Sequence, residues 1–387
     1  MSSPAIQTKL TELLAITTPV VSPAMAYASG GALAAEVTLA GGFGFIGVGS
    51  EPAEKLSREL ATARRILNTE PTSTLRIGVG FLGWILDQNE SLSKDLINLL
   101  FEQRVQAVWL SFGNNLAQWI EYIRAQSQQS GHPIFIFVVV SSPAESQRAI
   151  NEWKADVIVA QGKHTPFISK QTALTHQLFN VTPSNPPTTP IPTLLTPLPR
   201  PSPGIEAGGH GASQGLPLLT LLPLILSQTS PTGPPVLGAG GLASGSHIAA
   251  LLTLGASGAV LGTRFLLAEE SLYTANQRAV LIAASSTQSM RTRAFDEARG
   301  SVGWPQGIDG RGIRNATVTD YENGVDISVL REKYKEAAAK DDTDRIIVWA
   351  GTGVGLMNRT QPAKDIVREL HDECLSRLND AQNLIRA

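Results

Sequence analysis

The sequence predicts an α/β protein built on a (β/α)8 TIM barrel, with a smaller α-rich cap domain and a proline-rich loop inserted after the sixth strand. Three observations carry that expectation. Short apolar runs alternate with amphipathic stretches six times before residue 163 and twice more after residue 204. The runs are continuous in Val, Ile and Phe instead of alternating with polar residues, the pattern of strands covered on both faces. Eight such units close a parallel barrel, and Gly-rich turns follow the last two strands, where barrels of this kind often bind phosphate.

In chain order, strand one is Pro19–Pro23, followed by a helix over Gly30–Ala40 that Gly41 and Gly42 stop. Phe43–Val48 is strand two, and Pro52–Leu67 a helix with acids early and arginines late, as the helix dipole favours. Strands three to six fall at Leu75–Phe81, Ala107–Phe112, Ile134–Val140 and Asp156–Ala160. Amphipathic stretches at Ser91–Phe101, Asn115–Arg124 and Pro143–Trp153 separate them.

The rhythm then breaks. The 42-residue segment Lys163–Gly204 holds ten of the 24 prolines and no Asp or Glu. It offers no periodic apolar face and its prolines lack amide donors, so an extended, poorly ordered loop is expected. Beyond it come a helix at Leu216–Leu226, strand seven at Pro235–Ala239, a helix at Ser244–Leu254 and strand eight at Ala259–Phe265. Residues 1–265 are thus the barrel, and 266–346 a cap with helical stretches, a Gly/Pro/Arg-rich connection over Gly300–Asn315 and a charged helix at Ile327–Ala339. A last strand at Arg345–Trp349 leads into the barrel-closing part, 347–387, with its helix at Pro362–Leu384.

A net charge of −2, with 42% hydrophobic and 17% charged residues, gives no electrostatic reason to expect nucleic acid or an anionic membrane as partner. No run approaches the roughly 18 apolar residues of a membrane span, and Met1–Leu14 lacks a basic segment followed by an apolar one. The single cysteine, Cys374, excludes an intramolecular disulfide and a cysteine-built metal site. A cytoplasmic protein acting on small molecules, monomeric or a homodimer, is expected.

The chemistry concentrates in Ile205–Gly215, where His210 follows two glycines and precedes a third. Adjacent residues without Cβ let the backbone lie flat against a planar ligand, and an imidazole there can exchange protons with it. A solvated histidine in a Gly-rich turn is the plain alternative, and the other motifs weigh against it. Ala239-Gly240-Gly241 and Leu261-Gly262-Thr263-Arg264 combine amides freed by glycine with a hydroxyl, which suits a phosphate monoester. Met25 in Pro23-Ala24-Met25 can lay a thioether on an aromatic ring, and Gln161 can bond a heterocycle. Ala350-Gly351-Thr352-Gly353-Val354-Gly355 has the look of a dinucleotide fingerprint but lies at the wrong end of the chain for a Rossmann unit.

Taken together, Pro23-Ala24-Met25, Ala160-Gln161-Gly162, Glu206-Ala207-Gly208-Gly209-His210-Gly211, Ala239-Gly240-Gly241 and Gly262-Thr263-Arg264-Phe265 resemble the nitronate monooxygenase family over nearly the whole chain. Asp296-Glu297-Ala298-Arg299-Gly300, Trp304-Pro305 and Gly310–Asn315 resemble its fungal branch. The resemblance implies an FMN-containing barrel that oxidises alkyl nitronates with O2 to nitrite and a carbonyl compound. It implies His210 as catalytic base, Met25, Gln161 and Gly208 against the isoalloxazine, and Gly240, Gly241, Leu261, Gly262 and Thr263 around the phosphate. Where the family often has Asn after strand three this chain has Gly78-Val79-Gly80-Phe81, so Gly80 would contribute backbone alone.

Two other activities fit the same motifs. An FMN-dependent enoyl-thioester reductase resembles this family in fold and in the Gly-Gly-His motif, and a flavin-binding protein inactivated by the insertion would also carry them. In the family, Gln-Gly runs almost directly into Glu-Ala-Gly-Gly-His, and deleting Lys163–Gly204 restores that spacing. Gly162-Lys163 can be encoded by a sequence containing a common splice donor, and the segment preserves the reading frame, which reads as translated intron.

Overall fold

The computed structural model describes residues 4–161, 206–213 and 215–385. The expected loop at Lys163–Gly204, and the intron reading attached to it, lie outside those residues.

The chain opens with α1 (Lys9–Leu14), whose N-terminus is closed by a capping box between Thr8 and Thr11. There follow β1 (Val20–Ser22), α2 (Gly31–Leu39), β2 (Phe43–Gly47), α3 (Ala53–Ile66), β3 (Leu75–Leu82), the short α4 (Gly83–Leu86), α5 (Glu90–Glu102), β4 (Val105–Ser111), α6 (Leu116–Ser130), β5 (Phe135–Val140), α7 (Pro143–Asn151) and β6 (Val157–Gln161). Local chemistry sets these boundaries. In α3 the buried residues Leu56, Leu60 and Ala63 repeat at helical spacing, so one stripe faces the barrel. Helix α7 starts where the Ser142 hydroxyl accepts from the Glu145 amide at 3.2 Å and Pro143 takes the first turn. Helix α6 runs past its expected end at Arg124 and stops at Gly131, which takes the left-handed conformation at φ 66°.

After the undescribed stretch come β7 (Gly209–Ala212), α8 (Leu218–Leu226), β8 (Val236–Ala239), α9 (Gly245–Thr253), β9 (Gly258–Val260) and α10 (Thr263–Leu266). Strands β1 to β6, β8 and β9 close one parallel barrel, with Val20 and Val21 of β1 in register with Ala259 and Val260 of β9. The eight barrel strands are those expected. The eighth is shorter, because the chain turns helical at Thr263 instead of running extended to Phe265.

Aromatic side chains fill the barrel. Phe137 stacks on Phe43 at 6.3 Å between ring centroids and meets Phe45 edge-on at 5.0 Å. Gly78 makes room for them, since a Cβ there would lie 2.1 Å from the Phe45 ring. Leu10 and Leu14 of α1 join this cluster, so α1 packs onto the barrel interior and leaves the strands' C-terminal ends open.

The rest of the chain is α11 (Ala275–Ala283), β10 (Ser289–Thr292), α12 (Ala294–Arg299), β11 (Ile308–Ile313), α13 (Ala316–Glu322), α14 (Ile327–Ala339) and α15 (Ala363–Asn383). Helix α15 packs along α9 and α2. Its Glu373 carboxylate accepts from the amides of Gly245 and Ser246 at 2.9 and 3.2 Å and so caps α9.

Two expectations are corrected in the cap. The stretch Gly300–Asn315 is not merely a connection: β11 lies within it, at the centre of an antiparallel sheet of order β10-β11-β7. Its strand character is masked in sequence by Gly310 and Gly312, where a Cβ would collide with the Trp349 ring at 2.4 Å and with the Ile347 side chain at 2.8 Å. Arg345–Trp349 is not a strand. Trp349 makes one bridge to Gly312, on the edge of β11 that β7 leaves at Arg311, and only that short edge is open to it. Among the described residues no helix is long and apolar enough to cross a membrane.

Candidate active site

Between the C-terminal ends of the barrel strands and the cap lies a cavity of about 710 Å³. The barrel strands contribute the loop after β1, the end of β6 and the turns after β8 and β9, and the other side is closed by β7 and the segments around residues 304 and 351. Met25, Gln161, Gly208, His210, Gly240, Gly241, Gly262 and Thr263 line this one space. Gly80 and Leu261, expected among them, do not. Gly80 is buried beneath Ala24, whose Cβ would sit 2.1 Å from a Cβ at Gly80. The Leu261 side chain is wholly buried, and its amide donates to the Val21 carbonyl at 3.1 Å.

The turn after β8 needs glycine, because Gly240 and Gly241 have φ of 120° and 70°. After β9, a Cβ on Gly262 would point into the cavity, with its nearest neighbours, Met25 Sδ and Pro23 Cγ, 3.7 Å away. The amides of Gly262 and Thr263 have no backbone acceptor among the described residues. The Thr263 hydroxyl accepts from the Gly351 amide at 2.9 Å, which leaves its own proton free to donate. The segment Ala350–Gly355 therefore belongs to this site although it is no dinucleotide fingerprint. It opens a 3-10 turn at Thr352–Leu356 against Gly241, and a Cβ on Gly353 would lie 2.4 Å from the Gly241 carbonyl.

His210 lies within β7, directly opposite Gly310 of β11. Gln161 Nε2 donates to the His210 carbonyl at 3.2 Å, tying the barrel to this cap strand. The imidazole stacks on Trp304 with ring centroids 3.5 Å apart and meets Trp349 edge-on at 4.8 Å. Its Nε2 lies 2.9 and 3.1 Å from the two carboxylate oxygens of Asp296, a buried residue of α12. The Ser301 hydroxyl donates to the same carboxylate at 3.0 Å. Burial holds the His210 pKa below the ordinary histidine value of 6.5, against the pull of Asp296, and the positive charges of Arg299 and Arg291 add to the lowering. A second acid of the neighbourhood, Asp309, is paired with Arg291.

Trp304 also touches Trp84 and Phe112, forming an aromatic wall beside the imidazole. The indole N–H groups of Trp84 and Trp304 are buried, with no hydrogen-bond partner among the described residues. Sequence reasoning gave no role to Asp296, Ser301, Trp304 or Trp349. Asp296 and Trp304 stood within the fungal-branch motifs, and an acid preceding a Gly-Ser pair was the available signal.

Against known proteins, the chain is 31% identical to a nitronate monooxygenase of Neurospora crassa over 393 aligned positions, spanning 94% of this chain and 90% of that one. The chain belongs to the nitronate monooxygenase family. This is a family of oxidoreductases that act on nitronates, and its profile, described as nitronate monooxygenase, matches residues 202–373. A nitronate monooxygenase of Metarhizium robertsii, npaC, is 29% identical over 92% of this chain and 90% of its own length. Among solved structures, FabK from Thermotoga maritima superposes with a TM-score of 0.69 at 22% identity, covering 98% of this chain and all of that one. The nitroalkane oxidase of Streptomyces ansochromogenes gives 0.68 at 23% identity, covering 96% and 99%. At those identities the structural likeness speaks to the fold.

Proposed function

We propose that this chain is an FMN-dependent enzyme that oxidises alkyl nitronates with O2 to a carbonyl compound and nitrite, with His210 as the base that extends the reaction to neutral nitroalkanes. The observation that carries this reading is the convergence of an imidazole and a glycine-built turn pair on one cavity. The residues fit a flavin mononucleotide. Gly240, Gly241, Gly262 and Thr263 would hold its phosphate with backbone amides and one hydroxyl, while Met25, Gln161 and Gly208 would border its ring. Bound there, the flavin supplies the electron transfer that neither imidazole nor carboxylate can perform.

The chain's own residues supply the rest. A neutral imidazole can remove the α-proton of a nitroalkane, an effect of roughly 10²–10⁴ in rate. Because burial lowers the His210 pKa, the neutral form persists at mildly acidic pH. The aromatic wall of Trp304, Trp84 and Phe112 excludes water from the imidazole face.

The test is the absorbance spectrum of the purified protein before and after anaerobic addition of propionate 3-nitronate, followed by nitrite measurement in air. A flavin spectrum that bleaches with the nitronate, and nitrite released on aeration, are the results expected. A flavin that bleaches with a nicotinamide but yields no nitrite overturns the proposal in favour of an enoyl-thioester reductase. A yellow protein inert to both reagents overturns it in favour of a flavin-binding protein without turnover.

A further inference from the structure

We propose that Asp296 is a positioning residue for His210: it holds the ring proton on Nε2, so that Nδ1 is the nitrogen that accepts the substrate proton, and it balances the imidazolium once formed. The inference deepens the proposed function and rests on it for the identity of the substrate.

The geometry assigns the tautomer. Nε2 of His210 faces both oxygens of Asp296, at 2.9 and 3.1 Å. An ionised carboxylate has only lone pairs to offer, so the ring nitrogen facing it must carry the proton. The Ser301 hydroxyl already donates to the same carboxylate, and no cation other than His210 forms an ion pair with Asp296 among the described residues. In the neutral ring the other nitrogen, Nδ1, then holds the lone pair. No protein partner of Nδ1 is present among the described residues, and the ring that carries it borders the cavity.

The charges around the imidazole leave Asp296 alone in this part. From β11, Asp309 faces the ring, but Arg291 of β10 already neutralises it. From α12, Arg299 adds positive charge, which opposes protonation of the ring, as does Arg291. Trp304 and Trp349 pack against the ring and carry no charge. When His210 takes a proton, Asp296 is thus the carboxylate in direct contact whose charge is not already spent on an arginine. The proton step balances simply: the substrate C–H bond breaks, its electron pair stays on the nitronate, and Nδ1 gains the proton.

The decisive measurement is the ¹⁵N spectrum of histidine-labelled, flavin-loaded protein at a pH where His210 is neutral, with its signals assigned by their loss in His210→Gln. Protonated Nε2 and unprotonated Nδ1 are expected. The reverse pattern overturns the proposal whether or not the protein oxidises nitronates. A correct pattern in a protein that releases no nitrite leaves the Asp296 assignment standing and removes the nitronate reading instead.

Asp296→Asn supplies the kinetic arm, because it keeps the shape and removes the charge. Its kcat/KM for neutral 2-nitropropane should fall by about 10²-fold or more, with a smaller loss on the preformed nitronate. The acid limb of its pH profile should move to lower pH, because the imidazolium loses its counter-charge. Ser301→Ala should move the limb the other way, since the carboxylate then shares less of its charge with a donor. Limbs that stay in place in both variants overturn the proposal.

Discussion

At the residue scale, the proposed chemistry turns on one histidine whose pKa burial lowers. Its pKa lies below 6.5 because desolvation outweighs the attraction of Asp296. A base must be unprotonated to act, so turnover of a neutral nitroalkane should persist to lower pH than an ordinary histidine allows, with an apparent pKa below about 6.5. The sign for stability follows from the same shift. The unfolded chain takes up the proton more readily, so the stability His210 contributes is complete above the unfolded value and is lost as pH falls toward the folded one. His210→Asn should retain flavin, lose on the order of 10²-fold or more in 2-nitropropane turnover and lose less on a preformed nitronate. Equal losses on both substrates remove the proton-abstraction role. The histidine itself was legible in the sequence, because glycines flank it on both sides. Its partners were not, because Asp296 and Trp304 lie far along the chain and only the cap sheet brings them to it.

At the element scale, the glycine turns divide into those that make the fold and those that make space for a ligand. A Cβ on Gly47, at the end of β2, would lie 2.3 to 2.5 Å from backbone atoms of Met25. Gly47→Ala should therefore displace the loop after β1 and cost about 1–3 kcal/mol in stability along with flavin retention. Gly262 has an ordinary φ of −84° and open space before it. Gly262→Leu should leave the melting temperature of the flavin-free protein near that of the parent while flavin retention falls. A variant that loses both together, or retains its flavin, would show that the turn after β9 does not hold the ligand. The barrel elements could be read from sequence because each carries its own periodicity. Strand β11 could not, because Gly310 and Gly312 exist to accommodate Trp349 and Ile347, residues that follow more than thirty positions later.

At the scale of the whole molecule, the barrel and cap are joined by a chain that leaves β6 at Gln161, enters the cap sheet at Gly209 and returns to the barrel at Val236. The segment Lys163–Gly204 interrupts that path in sequence. A protein lacking it should bind FMN at least as well and turn over nitronate faster. Sequencing the mature transcript decides its origin: a message that retains all 42 codons makes it a genuine part of the protein.

Among the described residues strand β7 sits at the edge of its sheet, with β11 its one strand neighbour. That partner arrives almost a hundred residues later in synthesis, so a nascent chain can complete all eight barrel strands while the histidine segment still waits for its hydrogen bonds. Amide exchange makes this order visible. The backbone protons of Gly209–Ala212 should gain protection together with those of Ile308–Arg311, and later than those of β3 and β4, in a pulse-labelled refolding experiment. Simultaneous protection of all four segments would mean that cap and barrel fold as one unit. If the later protection is found, destabilising mutations in the cap will silence the enzyme before they unfold it.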